Sequence, residues 1–246
     1  LTRALYGFRI RQPIGGDFGL SLPLIRHYLE QEVWESDVAK FGIDIWMTVT
    51  AIVNGFNICQ SKLGVKVHGR KDPAADLGPM FRQVMGTLFR LMETTSHFWK
   101  DVKESRDVPT FGNYVGGSPE PFEINLEDLI EYFRIGFRNF GGIWKQILDE
   151  NDFREITALA EQTERKAFYL SIAAWIRIVY RYANAFHETP RQRMKLLDTM
   201  IPLYYARVAS LVHELEDSDD DRLGEFFSGQ AKMFEDMKEY LIDLWK

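Results

Sequence analysis

Cysteine is almost absent from this chain of 246 residues. Cys59 stands alone, which excludes an internal disulfide framework and fits a reducing, cytoplasmic compartment. A basic excess is also missing. The net charge is −6, so a positively charged face for non-specific nucleic-acid binding is not expected. No long uninterrupted apolar run occurs. The longest apolar region, Ala167 to Phe186, is broken by Arg177 and Arg181, and reads as a buried amphipathic helix rather than a membrane span. The opening residues lack the basic-then-apolar pattern of a signal peptide. No H-E-x-x-H zinc motif, nucleophile elbow, Walker loop, dinucleotide fingerprint or internal repeat is found.

What is present is a large potential core: 46% of residues are apolar and 14% aromatic. The chain opens on Leu1, with Arg3, Arg9 and Arg11 leading straight into a glycine-rich turn, and the expectation is that further residues lie upstream. Two stretches differ in pattern. Residues 1–73 read as mixed α/β, residues 74–246 as mostly α-helical. In the first, Gly15, Gly16 and Gly19 bracket a tight loop in which glycine permits positive φ. Ser21 is placed to cap a helix running to about Val33, with Pro23 in its first turn. A second helix is expected from Ile43 to Asn54, stopped by Gly55. Phe56 to Gln60 and Leu63 to Val67 are short strand candidates. The first stretch holds too few strands for an independent sheet, and reads as part of one.

In the second stretch, Leu77, Phe81, Val84, Leu88, Leu91 and Met92 recur at helical spacing. A loop is expected from about Ser105 to Pro121. Asn125 is placed to cap a helix to Leu148, strained by Gly136 and by Gly141-Gly142. Further helices are expected over Glu164 to His187, Arg191 to Glu216 with Pro202 inside, and Arg222 to Leu244.

The residues with chemistry are few. Val65 to His68 is an alternating run that delivers an imidazole, a common ligand for divalent metals, and Arg70 and Lys71 follow at once. Guanidinium and ammonium suit oxyanions, so the group points to a metal-bound diphosphate. Asp44 lies in a helix first turn, where it can accept backbone hydrogen bonds or face an acceptor hydroxyl. Trp46 is core or a surface for a sugar face. Asp17 in the glycine loop can bind hydroxyls, and Arg11 can pair with Asp17 or with an anionic acceptor. The acidic run Asp217, Asp219, Asp220 and Asp221 reads as a solvated connection rather than a metal site. His97, His187 and His213 have no spaced partner ligands, and Cys59 is expected in the core.

Three ordered blocks, Arg11-Gln12-Pro13-Ile14-Gly15-Gly16-Asp17-Phe18-Gly19, Phe41-Gly42-Ile43-Asp44-Ile45-Trp46 and Lys66-Val67-His68 with Lys71-Asp72-Pro73, resemble the C-terminal half of GT-A-fold glycosyltransferases of family 2. Within that family the chain looks most like bacterial glucosylglycerate and mannosylglycerate synthases. The resemblance covers residues 1 to about 90, and the helical remainder is similar to the C-terminal extension of these enzymes. It implies a partial GT-A sheet domain followed by a helical domain, and a hexosyltransferase using a nucleotide-diphosphate sugar, a small hydroxylated acceptor such as glycerate, and Mg²⁺ or Mn²⁺. His68 would then be a metal ligand. Arg70 and Lys71 would hold the diphosphate. Asp44 would serve as general base in an inverting enzyme, or position the acceptor or steady developing positive charge in a retaining one. Arg11, Gly15, Gly16 and Asp17 would shape the donor and acceptor pocket. These enzymes carry a nucleotide-binding half upstream of the glycine loop, so a chain truly beginning at Leu1 would be inactive alone. The alternative is a non-catalytic helical module for oligomerisation or partner docking. A homo-oligomer is expected on either reading.

Overall fold

The structure, a computed structural model, describes residues 1–64, 73–113, 124–216 and 220–245, with the side chains of 73–76, 220 and 221 outside that description. The described chain is mostly helical, with a few two-residue strands. It forms two compact units, 1–124 and 125–246. The change of composition at 73/74 therefore falls inside the first unit, because the helix that follows it packs on an earlier helix of that unit.

The first unit begins with α1 (Thr2–Tyr6), closed by Gly7 in the left-handed region, and β1 (Phe8–Arg9). A long loop leads to α2 (Leu22–Leu29), where Ser21 Oγ accepts from the Leu24 amide and Pro23 sits in the first turn, as expected. This helix stops at Leu29, short of Val33. α3 (Ile43–Val53) ends at the Asn54 cap, with Gly55 at φ +75°. After it come β2 (Gln60–Ser61), α4 (Pro73–Thr94), α5 (Ser96–Trp99), β3 (Arg106–Asp107) and β4 (Thr110–Phe111). β1 pairs in parallel with β3, and β2 in parallel with β4, so one stretch of chain serves two distant partners. Of the expected strands only Gln60 is found paired. Phe56 to Cys59 and Leu63 form none, and Val65 to Val67 lie outside the described residues. The expected loop after Ser105 holds β3 and β4 instead.

Leu24, Tyr28, Val38, Trp46 and Ala51 form the core around α2 and α3. The ring of Trp46 lies 4.9 Å from that of Tyr28 and 5.4 Å from that of Trp34. Burial pushes the Tyr28 hydroxyl up to about 12, so it stays protonated and donates to the Met47 carbonyl at 2.6 Å. Cys59 is exposed, contrary to its expected place in the core, because Phe56 and Ile58 take the inward positions beside it.

The second unit comprises α6 (Leu126–Ile147), α7 (Glu150–Glu161), α8 (Ile172–Glu188), α9 (Arg193–Leu215), α10 (Asp220–Asp236) and α11 (Lys238–Leu244). Asn125 Oδ1 caps α6 through the Asp128 amide. α6 lies along α9, and Gly136 is the reason they approach: a Cβ there would stand 2.2 Å from Pro202 Cβ. This glycine therefore serves packing rather than straining the helix. Trp144 Nε1 donates to the Thr199 carbonyl at 2.9 Å across the same contact. The two arginines interrupting the apolar run of α8 find partners. Arg177 donates to both carboxylate oxygens of the buried Asp152, at 2.6 to 3.0 Å, and Arg181 Nε donates to Tyr240 Oη at 2.5 Å. Among the described residues no helix is long and apolar enough to cross a membrane.

Candidate functional site

The glycine loop follows β1 and is tied down at two points. The Arg11 amide donates to Gln60 Oε1 at 3.1 Å, and Gln60 Nε2 donates to Thr110 Oγ1 at 3.1 Å. One glutamine side chain thus stitches the entry of the loop to β2 and β4. Thr48 Oγ1, on α3, donates to the Pro13 carbonyl at 2.8 Å. Thr48 is nearly buried, so this bond satisfies a polar group that would otherwise be shut off from water.

Within the loop the glycines differ in role. Gly16 adopts φ +75°, a conformation that costs other residues energy. A Cβ at Gly15 would stand 3.3 Å from the Gln12 carbonyl, so that position is crowded by its own turn. Gly19 has open space around it. Arg11, Gly16 and Asp17 are exposed, while Gly15 is half-buried.

Asp44 occupies the first turn of α3 and is half-buried. Gly42, the residue before the helix, supplies no side-chain cap, so the helix dipole itself favours a carboxylate at this end. Asp44 and Thr48 are four residues apart, which places them on one face of α3, about 6 Å apart along the axis. The hydrogen bond from Thr48 to Pro13 therefore lays the glycine loop against the helix face that carries Asp44. Phe18 and Phe41, one from each of the two segments, are both exposed.

Trp46 is removed from the candidate site, because it is 4% exposed and enclosed by Tyr28 and Trp34, with no face open to a sugar. His68, Arg70 and Lys71 lie outside the described residues, as do Asp217 and Asp219. Among the described residues no group of three or more His, Cys, Asp and Glu side chains is placed to hold a metal ion. Thr48 and Gln60 escaped the sequence reading. Thr48 is one of two threonines among apolar residues of α3, and Gln60 is followed by Ser61 and Lys62, so neither is marked out locally without knowing what lies opposite.

Comparison with known protein families, curated proteins and solved structures yields no match for this chain.

Proposed function

We propose that the chain is the C-terminal part of a glycosyltransferase that moves a sugar from a nucleotide-diphosphate donor to a small hydroxylated acceptor such as glycerate. The observation that carries this reading is the Thr48–Pro13 hydrogen bond, which ties the first block of the resemblance to α3, the helix that begins within the second block and carries Asp44. On this reading the short parallel pairs β1–β3 and β2–β4 belong to a GT-A sheet.

The roles follow from chemistry. Asp44 faces the acceptor hydroxyl. As a base it takes the hydroxyl proton while the oxygen attacks the sugar carbon; as a charge-stabiliser it steadies the oxocarbenium character of that carbon. The glycine loop lets backbone come close to the sugar, since no Cβ stands in the way. Arg70 and Lys71 hold the diphosphate as it leaves. His68 would be a ligand to Mg²⁺ or Mn²⁺, which would neutralise charge on the departing diphosphate. Among the described residues no ligand set for that ion is assembled.

Isothermal titration of the intact protein, with the nucleotide-binding half that the reading requires, against a nucleoside diphosphate with and without Mn²⁺ tests the reading. The expected result is binding strengthened by Mn²⁺ and weakened in His68→Ala. Binding indifferent to the metal, with His68→Ala behaving as wild type, would sink it.

A further inference from the structure

α2 is apolar on two sides. Leu24 and Tyr28 face the core of the first unit and are buried. Leu22, Ile25 and Leu29 recur at i, i+3 and i+7, which gathers them in one stripe on the other side of the helix. That stripe stands open: Leu22 is 59% exposed, Ile25 37% and Leu29 70%. Between Ile14 and Phe41 eight large apolar side chains are exposed, against seven in all the other described residues, so the exposure is concentrated here. Concentrated apolar exposure marks a surface that another body covers.

The charges on the same helix specify that body. Arg26 stands beside the stripe one turn after Leu22, and Glu30 follows one turn later on the same flank. Both are exposed, and neither has an ion-pair partner among the described residues. Within one helix the cation precedes the acid here, which is the weaker order for an i, i+4 pair. Glu32 and Glu35 extend the acidic end and are likewise exposed and unpaired among the described residues. The face is therefore basic before Leu29 and acidic after it. A pattern of that kind complements itself when turned through 180°. Two α2 helices packed antiparallel, with the two-fold axis level with Tyr28, set Arg26 of each copy opposite Glu30 of the other. The same axis brings the two Leu29 side chains together, one residue from its level.

We infer that the outward face of α2 is the contact through which two copies of this chain associate, antiparallel about that axis. Leu22, Ile25 and Leu29 form its apolar centre, and the Arg26–Glu30 pairs form its charged rim. The contact does not depend on the sugar-transfer reading and uses none of its site residues.

Analytical ultracentrifugation of the intact protein over a range of concentrations tests the inference. The expected result is a monomer–dimer equilibrium. Arg26→Glu and Glu30→Arg each weaken it about tenfold or more, because the two-fold axis makes every reversal act twice. Arg26→Glu combined with Glu30→Arg restores the wild-type dissociation constant, a recovery that a general change of surface charge does not give. Leu29→Glu is monomeric at an unchanged melting temperature, since the side chain it replaces is exposed in the folded chain. The charge variants stay readable even if Leu29→Glu fails to fold. A protein that is monomeric at every concentration overturns the inference, and its sedimentation with phosphatidylcholine vesicles would assign the face to a lipid surface instead. An assembly indifferent to the single reversals overturns it too, as does one that the double variant fails to restore.

Discussion

Gly42 shows how much one missing Cβ can decide. The residue precedes α3 and is packed so tightly that a Cβ would meet Thr87 Oγ1 at 2.1 Å and the Asp37 carbonyl at 2.7 Å. Thr87 Cβ would also stand 3.0 Å away, so turning the hydroxyl aside does not clear the contact. Gly42→Ala should lower stability by about 1–3 kcal/mol, seen as a lower urea midpoint, and should displace the first turn that carries Asp44. An unchanged midpoint would show that the helix start can shift freely. Asp149 acts at the same scale through charge. It caps α7 by accepting from the Asp152 amide. Desolvation pushes its carboxyl up, but that hydrogen bond, with Arg181 and Arg177 nearby, holds it below the ordinary aspartate value of 3.8. A depressed folded-state value stabilises the protein above 3.8, and that contribution disappears as pH falls through the folded value. Asn keeps the cap but not the charge. Asp149→Asn should therefore unfold at lower urea than wild type near neutral pH, with the difference closing below 3.8. A difference that persists unchanged in acid would exclude the charge as its source.

Among the elements, α6 and α9 are held close by an absence, since Gly136 is where Pro202 fits. A proline ring cannot rotate away as a flexible side chain would, so Gly136→Ala should force the helices apart and cost at least about 1–3 kcal/mol in urea denaturation. A cost below about 0.5 kcal/mol would mean that the pair slides to accommodate it. Elements were legible in the sequence where a local signal sufficed. The caps Ser21 and Asn125 and the stop at Gly55 fix their ends through groups a few residues away. The continuous helix from Glu164 failed because its start is set from afar. Phe168 and Leu170 are buried as extended chain, with the Leu170 amide donating to Ser210 Oγ at 2.8 Å and Arg207 donating to the Leu170 carbonyl at 3.1 Å. α8 then begins afresh at the Ser171 cap. An apolar run looks the same in either conformation. The strands at 106–107 and 110–111 are too short to show alternation, and β3 pairs with residues nearly a hundred positions away.

For the molecule as a whole, each unit closes a core of its own, around Tyr28 and Trp46 in one and around Phe133, Trp144 and Tyr182 in the other. Amide exchange followed by mass spectrometry should show Gly42→Ala weakening protection within 1–124 and Gly136→Ala within 125–246. The reverse pattern would refute the division at 124/125. The sequence placed that division at 73/74, because α4 is helical in pattern and nothing local reveals that it packs on α3. For the site, the glycine loop and Asp44 were readable as separate motifs. The tie between them through Thr48 depends on the fold and was not. The lone thiol has a practical consequence of its own. Cys59 is exposed and directly precedes the glutamine that anchors the loop. A maleimide dye or spin label can therefore be attached there without prior mutagenesis or competing reaction, giving a spectroscopic reporter one residue from the anchor.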